Sequence, residues 1–134
     1  MTKSTKSTKS PPAEPREAAY ISHLLTGLKH DATKNRLDLV PPELVLAVGA
    51  VMTHGAEKYG DHNWAGGMRW SRLIAASLRH LMEFNAGVDI DSESGLPHLA
   101  HAATCIGFLI AYAKNGWGED DRRDRVLSAS LGKK

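Results

Sequence analysis

Residues 44–52 carry Leu44, Val45, Leu46, Val48, Val51 and Met52, and residues 99–110 carry Leu99, Ile106, Phe108, Leu109 and Ile110. Neither segment alternates with period two, so neither reads as a half-buried strand. As helices both are apolar almost all round, and a helix with so little polar surface has to be covered on several sides. A third helical segment, "RLIAASLRHLMEFNA" at 72–86, lies between them. Three such helices in a chain of 134 residues cannot cover one another completely. The expectation is an all-α bundle of about four helices whose uncovered faces meet in a symmetric homo-oligomer. A compact four-helix monomer is the alternative.

Punctuating residues set the boundaries. Pro42 and Glu43 open the first helix, since proline fits a first turn and an acid suits the positive end of the dipole. Gly60 closes it, and "GDHNWAGGMR" at 60–69 is a glycine-rich loop. Ser71 is placed to cap the second helix, with Gly87 as its terminator. The third begins around Pro97 and runs to Asn115 before Gly116. Residues 17–28 read as a short helix ended by Gly27, and 29–41 as an extended lead-in. The K-S-T repeats and prolines of 1–16 form a low-complexity basic arm expected to be disordered. The domain therefore spans 17–116. Residues 117–134 are a polar tail that frays or adds a short helix.

Composition narrows the function. Lys and Arg number 17 against 15 Asp and Glu, and much of the excess sits in the two tails. The core is not basic, which argues against nucleic-acid binding. No apolar run reaches a membrane span, and no secretory leader is evident. The single cysteine, Cys105, cannot form an internal disulfide, which fits a cytoplasmic protein. Histidine is the outlier: there are seven, six of them between His30 and His101.

Two of those histidines, His98 and His101, share a face at i,i+3 spacing in "HLAHAA", and His80 and Glu83 do the same in "RHLME". Either pair alone is more often packing or a surface accident, and Arg79 can simply pair with Glu83. Two matching pairs on neighbouring helices can converge on a divalent cation. Between them, "DIDSESG" places Asp89, Asp91 and Glu93 beside small residues. Taken alone it is a solvated turn in which Ser92 or Ser94 caps the third helix. Beside the histidines, Asp91 and Glu93 become ligand candidates for magnesium or manganese. Lys58 suits a phosphate, or merely the end of its own helix. Asn63 offers a donor and an acceptor to a base edge. Trp64 and Trp70 can stack on a purine, although tryptophans in small helical domains usually serve the core. His54 and His62 are undecided.

In order and spacing, "KHDATKNRLDLVPPE", "HGAEKYGDHNWAGGMRWSR", "LRHLMEF" and "DIDSESGLPHLAHAA" resemble the dATP/dGTP diphosphohydrolase family of phages and bacteria, MazZ-type members of the MazG-like enzymes. The similarity covers roughly residues 29–113. It implies an all-α nucleotide pyrophosphohydrolase fold, a dimer or tetramer, located in the host cytoplasm if phage-encoded. It also implies cleavage of a purine deoxynucleoside triphosphate to the monophosphate and pyrophosphate. MazG-like enzymes carry E-x-x-E and E-x-x-D on successive helices. Laid on this chain, those motifs fall on His80 with Glu83 and on His98 with His101, so only Glu83 keeps the acid.

The expected scheme is metal-assisted hydrolysis. His80, Glu83, His98, His101, Asp91 and Glu93 hold the ions, and Glu83, Asp91 or Glu93 orients the water. Lys58 and Arg79 steady the phosphates, while Asn63 and Trp64 face the base. One rival is an HD-type phosphohydrolase, although the only "HD", His30-Asp31, falls in the lead-in. The other is a non-catalytic helical module with a structural metal. Identifying the products separates them.

Overall fold

The computed structural model of the protein describes residues 27–132. The chain divides into a unit ending at Asn35 and a unit beginning at Arg36. Of the first, residues 27–35 are described: the Lys34 N–H donates to the Asp31 carbonyl at 2.9 Å, and Lys29 pairs with Asp31 at 3.7 Å. The expected arm at 1–16 lies outside the described residues, as does most of the expected helix at 17–28. Residues 27 and 28 are not helical.

The second unit is all-α. A single 3-10 turn at Leu37–Leu39 interrupts the expected extended lead-in, and then α1 spans Pro42–Tyr59. A second 3-10 turn, Asn63–Gly66, sits inside the glycine-rich loop. Next come α2 (Trp70–Asn85), α3 (His98–Asn115) and α4 (Arg123–Leu131), the last formed within the polar tail. Among the described residues there are two isolated bridges, Arg69 to Glu119 and Ile90 to Pro97. No described helix is long and apolar enough to cross a membrane.

α3 is the centre, packed against both α1 and α2. Its inward side is built from small residues: Ala100, Ala102 and Thr104 are buried, and so is Ser77 opposite them on α2. Small side chains let the two backbones approach closely enough for the Ser77 hydroxyl to donate to the Ala102 carbonyl at 3.4 Å. At the far end Tyr112 is wholly buried, and its hydroxyl donates to the Trp64 carbonyl. Tyr112→Phe should therefore cost about 1–2 kcal/mol in urea unfolding, because the Trp64 carbonyl loses its donor.

Two local expectations give way to distant partners. Ser71 does not cap α2, which starts one residue earlier with Arg69 in the cap position and no side-chain cap bond. The Ser71 amide and hydroxyl instead donate to the Asp121 carboxylate, which sits at the positive end of the helix dipole. Nor does Ser92 or Ser94 cap α3. Pro97 occupies that position without a side-chain cap bond, and the His98 N–H donates to the Asp89 carbonyl at 2.9 Å.

The start of the polar tail is likewise joined to the helical body. Trp70 N–H donates to the Glu119 carbonyl and Glu119 N–H to the Met68 carbonyl, while the Trp70 indole donates to the Trp117 carbonyl. Large apolar side chains stay open to solvent on all three long helices, Leu46 at 73%, Met82 at 64% and Ile110 at 65% among them.

Candidate functional site

The site is organised by the short loop between α2 and α3. Asp91 N–H donates to the Leu96 carbonyl at 2.9 Å and Gly95 N–H to the Asp91 carbonyl at 2.8 Å, so the acidic stretch folds back on itself. Within that turn the Ser94 amide and hydroxyl both donate to Asp91 Oδ2, at 2.9 and 2.7 Å. This is the turn chemistry of an Asx residue. Those two bonds, the hydroxyl first, hold the Asp91 carboxyl below the usual carboxylate range, against the opposing effect of burial. The result is a half-buried, ionised carboxylate in a fixed orientation.

Three imidazoles gather beside it. His80 from α2 meets His98 from the first turn of α3 with their Nδ1 atoms 2.8 Å apart. His80 also stacks on His101 with ring centroids at 4.6 Å and planes 13° apart. His101 Nε2 lies 2.6 Å from Ser94 Oγ and 3.8 Å from Asp91 Oδ2. The single Ser94 hydroxyl proton points to Asp91, so His101 donates its Nε2–H to Ser94 and keeps a lone pair on Nδ1. The ligand atoms of His80, Asp91 and His98 all lie within 4.8 Å of one another, a donor set able to hold a cation.

Burial pushes the His80 ring below its ordinary value, helped by the neighbouring His101 and His98 and opposed by Asp91. Burial does the same to His101, with Asp91 opposing and His54 assisting. A base depressed on folding favours the neutral form in the folded state. The unfolded chain therefore takes up more protons once the pH drops below the ordinary histidine value near 6.5. The stabilisation is whole above that value and drains away as the pH falls through the depressed folded values. In metal-free protein the urea midpoint should thus fall between about pH 7 and pH 5, and His80→Gln should flatten the slope.

The cluster opens into a cavity of ≈ 950 Å³, a size suited to a small-molecule ligand. Lys58, Asn63 and Trp64 line it, as do His80, Asp91, Glu93 and His101. Lys58 Nζ is 3.3 Å from Glu93 Oε1, but both side chains are at least half exposed, so the pair adds little to stability. Trp64 gives one face to Phe108, parallel at 4.8 Å, so part of its ring serves packing as well as the cavity wall. Its indole N–H is buried without a hydrogen-bond partner among the described residues. Trp70 carries Arg122 over its ring at 4.9 Å and serves the C-terminal segment instead.

Thus His80, His98, His101 and Asp91 come together, while Glu93, Lys58, Asn63 and Trp64 stand along the cavity. Glu83 and Arg79 do not join them: both lie on the exposed side of α2, and neither lines the cavity. Their i,i+3 and adjacent positions put them near His80 in sequence, but His80 is half-buried against His98 and His101 whereas Arg79 and Glu83 stay exposed. Sequence reasoning weighed Ser94 only as a helix cap, left His54 undecided and missed Arg72; Ser94 orients both Asp91 and His101, and Arg72 and His54 line the cavity. The D-x-x-S spacing of Asp91 and Ser94 was the available signal for Ser94; nothing local marked Arg72.

The family profile described as dATP/dGTP diphosphohydrolase, N-terminal, matches residues 25–122. A dATP/dGTP diphosphohydrolase from Salmonella phage PMBT28 is 39% identical over 99 residues, a stretch covering 74% of this chain and 34% of the relative. The chain thus spans about a third of the length of the curated relative that it matches. No solved structure matches it.

Proposed function

The chain belongs to the dATP/dGTP diphosphohydrolase family, and from that premise we propose that its cavity cleaves purine deoxynucleoside triphosphates of the dATP and dGTP class to the monophosphate and pyrophosphate. The observation that carries this reading is the meeting of His80, Asp91 and His98 within 4.8 Å at a cavity also lined by Lys58 and Asn63.

The donor chemistry fits a divalent cation. Neighbouring positions around an ion with bonds of about 2.1 Å are about 3 Å apart, close to the 2.8 Å between the two Nδ1 atoms. His80, Asp91 and His98 would hold it, with His101 and Glu93 at hand. A mixed imidazole and carboxylate set favours manganese over magnesium, which prefers oxygen alone. When bound, such an ion neutralises phosphate oxygens and lowers the pKa of water.

The remaining work falls to side chains of the protein. Ser94 occupies Asp91 Oδ2, and among the described residues Oδ1 accepts no hydrogen bond, which fixes the direction of its charge. Glu93, exposed at the cavity wall, accepts the proton of the attacking water. Lys58 steadies the phosphate chain beside it. Asn63 and Trp64 stand where the base lies. The uncovered apolar faces of the long helices support a homo-oligomer, dimer or tetramer, which light scattering would measure.

The test is to incubate purified protein with manganese or magnesium and each deoxynucleoside triphosphate in turn and identify the products. Purine monophosphate with pyrophosphate, formed at lower manganese than magnesium concentration, is the expected result. Nucleoside with triphosphate would assign an HD-type reaction instead, and metal binding without turnover would assign an interaction module.

A further inference from the structure

The cavity has two chemically different ends. At one end lie the imidazoles and Asp91, with Lys58 and Glu93 beside them. Away from them stand Trp64 and Phe108, stacked in parallel, and Arg72 also lines the cavity. The register between α2 and α3 fixes this order. His80 meets His98 at one end of the helix pair, and the Trp70 indole meets the Trp117 carbonyl at the other. Arg72 is eight positions before His80, so it stands about 12 Å up the α2 axis from the cluster.

Arg72 is also unpaired among the described residues. Every other arginine in 60–80 has a partner or turns away: Arg69 pairs with Glu119 at 3.0 Å, and Arg79 faces outside the cavity. Among the described residues Arg72 has no ion pair, and it is exposed where it lines the cavity. A triphosphate held by the cation site and Lys58 leaves the aromatic end, and hence Arg72, for the base.

We infer that Arg72 reads the base, donating through its planar fork to the O6 and N7 acceptors of guanine. Arginine matches that pair of acceptors, whereas adenine presents an amino donor in place of O6 and rejects it. An amide such as Asn63, which also lines the cavity, suits the adenine edge, so Arg72 sets the preference for guanine. This rests on the proposed reaction for its substrate class, and its test reads binding as well as turnover.

The test compares wild type, Arg72→Ala and Arg72→Lys, loaded with manganese, for kcat/KM on dGTP and on dATP. In parallel, equilibrium binding of dGMP and dAMP is followed by tryptophan fluorescence. Both variants should lose roughly ten- to a hundredfold on dGTP, chiefly in KM, and on dGMP binding. Values for dATP and dAMP should stay within about twofold. Lysine should not rescue, because an ammonium keeps the charge and lacks the fork. An equal loss on both nucleotides would assign Arg72 to phosphate or sugar and overturn the inference, as would no loss on either or rescue by lysine. Arg72-dependent dGMP binding without hydrolysis of dGTP would sink the reaction and leave this assignment standing. Wild-type protein that binds neither monophosphate would overturn it.

Discussion

Asp91→Asn should abolish tight manganese binding and lower kcat/KM for purine deoxynucleoside triphosphates by about a thousandfold, the order of the several kcal/mol a bound cation supplies. The substitution isolates charge from shape. The Ser94 amide and hydroxyl donate to a single oxygen, Oδ2, and an asparagine carbonyl can accept both bonds. The turn at 91–95 should therefore persist, and the thermal midpoint should change little. What disappears is the only carboxylate in the trio with His80 and His98. Titration calorimetry with manganese and steady-state kinetics on the same preparation check the two halves. Retained metal affinity with lost activity would move the ligand role to Glu93.

The second large effect is on stability. Gly118 has φ +70, and a Cβ there would lie 2.3 Å from the Met68 carbonyl oxygen and 3.2 Å from Tyr112 Cδ2. Neither neighbour can retreat easily, because Met68 is backbone and Tyr112 is wholly buried. Gly118→Ala should cost about 3–5 kcal/mol, the range of a strained and overpacked site, and lower Tm by at least about 10 °C for a domain of this size. Gly116→Ala is the control. Its φ is +67, but nothing lies within 4 Å of the added carbon, so it should lose only about 1 kcal/mol. Equal losses would mean that backbone conformation, rather than the close approach of 67–68 to 118, sets the cost. The same clasp carries the carbonyl of Trp64 through Tyr112, so a loosened 116–121 segment should also raise KM.

Much of the architecture was already written in short-range pattern. Pro42 opens α1, Gly60 closes it and Gly116 ends α3, each where a proline or glycine stands at the edge of an apolar run. Those signals are local: they depend on φ and on hydrogen bonds within four residues. The residue types at His80, His98, His101 and Asp91 were legible as a candidate donor set before any coordinates, because two i,i+3 pairs bracket an acidic stretch, although either pair alone reads as packing.

Tertiary structure alone decided which of those residues meet. Glu83 lies one turn beyond His80, yet the histidine is half-buried against α3 and the acid stays in solvent. Ser77, one turn before His80, packs against Ala102 on the neighbouring helix and holds that stretch of α2 close to α3. The same holds for Asp121, which caps α2 from 50 residues away, and for Arg72, admitted to the cavity wall by the register of two helices. Spacing along one helix defines a face, but the direction in which that face looks is a property of the partner it packs against.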